Sequence, residues 1–117
     1  MMSLGTDVIE ISRIKHWPDD SEILSQVFTP YEINAIITRK HPHRQLAVIF
    51  AVKEAFMKAV GTGWSEGIKW TDIDVCIESR NDTIRLYNNA NRLCEGRNIF
   101  VSGSSSAGLA LAVVVID

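Results

Sequence analysis

An apolar run in the middle of the chain, Leu46-Ala47-Val48-Ile49-Phe50-Ala51-Val52, resumes after Lys53 and Glu54 as Ala55-Phe56-Met57 and after Lys58 as Ala59-Val60. A helix over roughly residues 45–60 is hydrophobic almost all round, which predicts a helix buried inside the molecule rather than one lying on its surface. Gly61 ends it, as a glycine just past the last helical residue should. Upstream, Thr29-Pro30-Tyr31-Glu32 is a capping box with proline at the first helical position, so a helix starts there and runs through Ile33, Ile36 and Ile37 to about Lys40. His41-Pro42-His43 breaks it and turns the chain into the buried helix. At the N-terminus, Leu4, Val8, Ile9 and Ile11 make an apolar strand with Asp7 inside it, and residues 10–17 read as a short helix stopped by Trp17-Pro18-Asp19-Asp20.

Past Gly61 the period changes. Trp64 to Gly67 is a loop. Ile73, Val75 and Ile77 then alternate with Asp72, Asp74 and Cys76, as in a half-buried strand, and Ser79 to Asp82 turns the chain into a return strand over Thr83 to Tyr87. Asn88 to Glu95 is a polar segment read as a short helix ended by Gly96. Ile99 to Ser102 and Leu109 to Ile116 form a second hairpin across Gly103 to Gly108, the last strand so uniformly apolar that both its faces are expected to be covered. The sum is an α+β fold, a single domain over residues 1–117, in which a mostly antiparallel sheet wraps a long central helix.

Size and charge narrow the function. A chain of 117 residues with 46% hydrophobic content buries a modest core and gains from oligomerisation. The net charge of −2 argues against general nucleic-acid binding, which needs a clustered basic surface. Residues 1–60 carry 7 acids and 7 bases, and residues 61–117 carry 7 and 5, so an acidic protein partner is expected to dock on the first half. Arg13, Lys15 and His16 supply the basic surface there. Cys76 and Cys94 lack metal or disulfide spacing and no leader precedes them, so both are expected reduced, in a soluble cytoplasmic protein. Lys53, Glu54 and Lys58 make the apolar helix a poor membrane span.

Three features carry chemistry. Glu54 and Lys58 are four apart on one helix face, an arrangement that serves either as a solvated ion pair or as two groups acting together. Gly61-Thr62-Gly63 leaves backbone N–H groups and a hydroxyl open, which suits phosphate oxygens. Asp7 is costly to bury ionised in its apolar strand unless a cation or several donors meet it. His41 and His43 have too few neighbouring ligands for zinc and read as loop residues.

Taken together, Gly5, Asp7, Glu10 and Arg13, followed by Phe50-Ala51, Lys53-Glu54-Ala55-Phe56, Lys58-Ala59 and Gly61-Thr62-Gly63, resemble the signature of holo-(acyl-carrier-protein) synthases in the 4'-phosphopantetheinyl transferase superfamily. The match spans nearly the whole chain, with Thr71 to Val75 similar to the family's next strand. The resemblance implies transfer of 4'-phosphopantetheine from coenzyme A to a serine of an acyl carrier protein, by a homotrimer with active sites shared between subunits. It implies that Asp7 and Glu54 hold Mg²⁺, that Lys58 meets the diphosphate, and that Arg13 faces the carrier protein. Mg²⁺ suits such a site because it needs only one or two carboxylates and leaves room for water and phosphate. No side chain is an obvious general base, so Glu54 or a water on the cation would take the serine proton.

The chain departs from the family pattern at Ile49, usually arginine, at Ser79 to Asp82, usually a Gly-Lys-Pro turn, and at Ser104-Ser105-Ser106, where a Ser-His pair is expected. These serines are expected to meet a coenzyme A phosphate through a nest of hydroxyls and backbone N–H groups, with weaker binding than a histidine gives. A non-catalytic regulator that binds coenzyme A or carrier protein, and a subunit of a larger complex, are the alternatives.

Overall fold

The computed structural model describes residues 2–61, 66–79 and 81–117. Strand β1 (Ser3–Glu10) leads through two single 3-10 turns, Ile11–Arg13 and Trp17–Asp19, into helices α1 (Ser21–Val27), α2 (Pro30–Ile37) and α3 (Pro42–Val60). A further 3-10 turn, Trp70–Asp72, precedes strands β2 (Ile73–Cys76) and β3 (Thr83–Leu86). Helix α4 (Asn88–Leu93) and strands β4 (Ile99–Ser106) and β5 (Leu109–Ile116) complete the chain.

Helix α3 is the core. Leu46, Ala47, Ile49, Ala51, Val52, Ala55 and Phe56 on it are all fully inaccessible to water. It starts three residues earlier than its apolar run suggests, because Pro42 takes the first helical position, where its missing N–H costs nothing. An antiparallel three-stranded sheet of order β1-β5-β4 packs on one side of α3, while α2 and the β2-β3 hairpin meet the other. The antiparallel architecture around a central helix is thus as expected, divided into two sheets.

Gly5 sets how closely β1 approaches α3. A Cβ on Gly5 would lie 1.8 Å from the carbonyl oxygen of Ala55 and 2.7 Å from the nitrogen of Ala59, so strand backbone rests directly on helix backbone. The small side chains of Ala55 and Ala59 make the contact possible, and it carries Asp7, two residues on, toward the helix.

On the opposite side of α3 lies a buried ion pair. Lys53 Nζ is 2.7 Å from Glu32 Oε1, both side chains being wholly inaccessible. Burial pushes the Glu32 carboxyl up and the Lys53 ammonium down, and their mutual attraction opposes both shifts. Glu32 is the capping-box acid: its Oε1 also accepts the Thr29 N–H at 2.8 Å, while Oε2 accepts the Val75 N–H at 2.6 Å. Removing one partner of such a pair strands a charge, at a cost of about 3–5 kcal/mol.

Four expectations are corrected. Residues 10–17 do not form one helix, because Glu10 completes β1 and the Ile11 N–H bonds back to the Gly108 carbonyl at 2.9 Å. Asp20 does not only stop a helix; its side chain accepts the N–H groups of Glu22 and Ile23 and so starts α1, an unforeseen element. Gly103 to Ser106 continues β4, so the turn is only Ala107-Gly108, with φ of 51° and 78° as a tight hairpin requires. Finally, β5 is covered on one face alone: Ala110, Ala112, Val114 and Ile116 are buried, while Leu111 and Val113 stand open to water. Among the described residues no helix is long and apolar enough to cross a membrane.

Candidate active site

Asp7 sits on the inward row of β1, in register with Ala112 of β5. Its Oδ1 is 2.8 Å from Lys58 Nζ, which also donates to the Thr6 carbonyl at 3.2 Å. The Asp7 side chain is only 8% accessible and that of Lys58 is 56% accessible, so the acid is held inside and the cation reaches it from the rim. The Asp7 hydrogen bond is the main cause that raises the Lys58 ammonium above its ordinary value. Asp7 Oδ2 is buried with no hydrogen-bond partner among the described residues.

Glu54, one helical turn before Lys58, is half-buried. Its carboxyl is raised first by burial and then by the negative charge of Asp7, with Lys58 opposing. Asp7 and Glu54 together line a cavity of about 520 Å³, along with Glu10, Arg13, Trp17 and Phe50. Trp17 packs edge-on against Phe50 at 5.0 Å between ring centroids, giving the cavity a rigid apolar wall. The structure therefore brings Asp7, Glu54 and Lys58 into one cluster and places Arg13 on its margin.

Other expected site residues are placed differently. Gly61 caps α3 with φ of 80° and an N–H bond to the Met57 carbonyl at 3.0 Å. Thr62 and Gly63 lie outside the described residues. Ser104, Ser105 and Ser106 stand on extended backbone opposite Leu111, Ala110 and Leu109 of β5. That geometry is not a donor nest, because N–H groups of a strand point alternately to its two sides. Ser105 faces the helix side, whereas Ser104 and Ser106 face outward. Within one chain β5 separates them from β1, so they are about two strand spacings, roughly 9.5 Å, from the row of Asp7.

Ser105 and Ser106 instead border a second cavity of about 710 Å³ with Ser12, Lys15, His43 and Arg44. Glu10 and Leu109 are common to both cavities. His43 is not the loop residue its sequence context suggests but belongs to α3, and Arg44 beside it carries no spacing signal of its own. Their signal was the proline at Pro42, which starts α3 early enough to set both on its first turn.

The donor set suits a small hard cation. No group of three or more potential ligands occurs among the described residues, which disfavours a zinc-type site. A magnesium-type site needs only one or two carboxylates. An orphaned buried carboxylate oxygen on Asp7 beside a second acid is the arrangement that such an ion would complete.

The sequence model of the 4'-phosphopantetheinyl transferase superfamily matches residues 3–114. The chain is 34% identical over 119 residues to the holo-[acyl-carrier-protein] synthase of Geobacter sp. (strain M21), covering 97% of this chain and 95% of that one. It is 38% identical over 122 residues to the corresponding synthase of Pseudoalteromonas atlantica, covering 100% and 97%. Among solved structures, the synthase of Neisseria meningitidis superimposes with a TM-score of 0.85 at 26% identity, over 98% of this chain and 97% of that one. The Helicobacter pylori synthase, solved in complex with coenzyme A, does so with a TM-score of 0.80 at 27% identity, over 97% and 99%.

The chain belongs to the 4'-phosphopantetheinyl transferase superfamily. It is an enzyme of that superfamily, in its holo-[acyl-carrier-protein] synthase branch.

Proposed function

We propose that the protein transfers 4'-phosphopantetheine from coenzyme A to a serine hydroxyl of an apo acyl carrier protein, with a divalent cation, Mg²⁺, held by Asp7 and Glu54. The observation that carries the reading is the buried, unpartnered Asp7 Oδ2 beside Glu54 in one cavity. The serine oxygen forms a bond to the phosphorus that carries pantetheine, the diphosphate P–O bond breaks, and 3',5'-ADP leaves. When bound, the cation supplies charge neutralisation for the diphosphate.

The chain's own side chains prepare this. Lys58, exposed at the rim, presents an ammonium to the leaving phosphate and holds Asp7 Oδ1 in place meanwhile. Glu54, half-buried in the same cavity, or a water on the cation, would take the serine proton. Phe50 and Trp17 give the cavity an apolar wall. The decisive experiment mixes the protein with apo carrier protein, coenzyme A and Mg²⁺ and weighs the product. A gain of one phosphopantetheine is expected, and its absence would favour a non-catalytic binding role.

Arg13, on the exposed margin of the same cavity, is proposed to meet acidic groups of the carrier protein. Charge at a rim acts mostly on encounter. Arg13→Glu is expected to slow transfer about tenfold or more at low salt, the defect shrinking as salt rises, while coenzyme A affinity stays near wild type; equal losses in both would argue against this placement.

The assembly is proposed to be a homotrimer with the transfer site at the junction of neighbouring copies. Supporting it, Leu4, Val8, Phe100, Leu111 and Val113 form one exposed apolar face across β1, β5 and β4. Patches of this kind on a small soluble domain mark interaction surfaces, and closed rings bury them without leaving an open end. Val113→Asp, at the centre of that face, is expected to yield monomers by light scattering with the fold retained. A wild-type monomer at working concentration would remove the assembly.

A further inference from the structure

The motif cation that the transfer reading leaves without a task is Lys53, the residue before Glu54. Its three ammonium protons meet three acceptors: Glu32 Oε1 at 2.7 Å, the Ile73 carbonyl at 2.7 Å and the Trp70 carbonyl at 2.8 Å. Glu32 is in turn held by the N–H groups of Thr29 and Val75. The start of α2, the middle of α3, the Trp70 turn and the start of β2 therefore converge on one buried ion pair.

A well-packed apolar pair would stabilise the same volume at least as well. What the ion pair adds is direction. Gly5 presses β1 onto the backbone of Ala55 and Ala59 from one side of α3. Contact of that kind opposes translation of the helix, whereas rotation about its own axis is opposed by directional bonds. Consecutive helical residues lie about 100° apart around the axis, so whatever holds the azimuth of Lys53 also holds that of Glu54. A carboxylate about 6 Å from the axis shifts by about 1 Å for a helix roll of about 10°. A misplacement of that size costs about a hundredfold in turnover.

We infer that the buried Lys53–Glu32 pair is a positioning device, which fixes the roll of α3 so that the Glu54 carboxylate stays in the cavity it shares with Asp7. The capping box that starts α2 and the Lys-Glu dipeptide on α3 are then two halves of one construction. Lys53 and Glu32 are wholly inaccessible and do not line the cavity that Asp7 and Glu54 share. They act through Glu54, and the inference rests on the cation reading proposed above.

The test is the near-isosteric double variant E32Q/K53M, which leaves no buried charge unpaired. Mn²⁺ binding is read directly by electron paramagnetic resonance on protein without coenzyme A or carrier protein, beside Asp7→Ala to mark the site and Leu24→Ala as a core variant on α1 that removes none of the ion pair's bonds. Expected is a loss of Mn²⁺ affinity of about tenfold or more in the double variant, in the range seen when supporting partners of metal ligands are removed, with Leu24→Ala at wild-type affinity. Unchanged affinity in the double variant, or an equal loss in Leu24→Ala, would overturn the positioning role while leaving the cation site intact. A wild-type protein without an Asp7-dependent Mn²⁺ site would overturn the cation reading and this one with it. Should the double variant not fold, the wild type decides: because coupling is reciprocal, the Thr29 and Val75 amide resonances are expected to move in a Mg²⁺ titration with the midpoint of the Asp7 site, and amides that stay still would refute the role.

Discussion

Asp7→Ala is expected to abolish phosphopantetheine transfer, by at least about a hundredfold, in a protein no less stable than the wild type. The loss follows from removing one of two carboxylates in a site whose work is charge neutralisation, where single preorganised groups are worth about 10²–10³ in rate. The unusual half is stability. A buried charged residue is ordinarily costly to delete because its partner is stranded, but the partner here is Lys58, 56% accessible and free to return to water. Asp7 Oδ2, by contrast, is buried with no hydrogen-bond partner among the described residues. An unsatisfied buried polar group costs about 1–3 kcal/mol, so its removal offsets the lost ion pair. Thermal melting without divalent cation, paired with a transfer assay, checks both halves. A variant that melts well below wild type would mean that Asp7 serves the fold, and retained turnover would mean that the cation site lies elsewhere. Glu54→Ala is expected to lose transfer to a similar degree.

Gly5→Ala should be the most damaging addition of a single methyl group among the described glycines. The added Cβ would lie 1.8 Å from the Ala55 carbonyl oxygen, far inside contact distance, and both neighbours are backbone that no rotamer change can move. β1 must lift from α3. Overpacking of this kind costs about 1–3 kcal/mol or more, and the lift also draws Asp7 away from Glu54 and Lys58. The expected result is therefore a lower melting temperature together with a loss of turnover larger than the fraction unfolded explains. Chemical denaturation and transfer kinetics on the same preparation separate the two. Full activity in the folded fraction would show that the strand-to-helix approach does not set the site.

Much was legible because it depends on neighbours along the chain. The capping box over Thr29 to Glu32, the strand alternation through Ile73 and Val75, and the all-round apolar helix ended by Gly61 are local patterns, and each appears in the fold. Helix α1 went unseen because it is one short polar stretch whose only strong signal, Asp20, lies in a segment that also reads as a stop. The hairpin turn across residues 103–108 is shorter than its composition suggests, because Gly-Ser-Ser-Ser is turn chemistry by composition alone. Strand pairing with the apolar β5 carries those residues into the ladder, and the clearance beside Val48 and Val52 explains Gly103.

What the amino-acid order by itself determined is which residues are available: two acids and a lysine set in apolar elements, a capping-box glutamate, and a last strand with no polar side chain. Only the tertiary structure decided how they are used. Glu32 became the counter-ion of Lys53, Asp7 was given one satisfied and one orphaned oxygen, and one face of β5 was left uncovered. Each of these depends on how closely and at what roll two distant segments meet. The backbone contact at Gly5 and the directional bonds of Lys53 set that meeting, and propensity and period, which act over a few residues, carry no information about it.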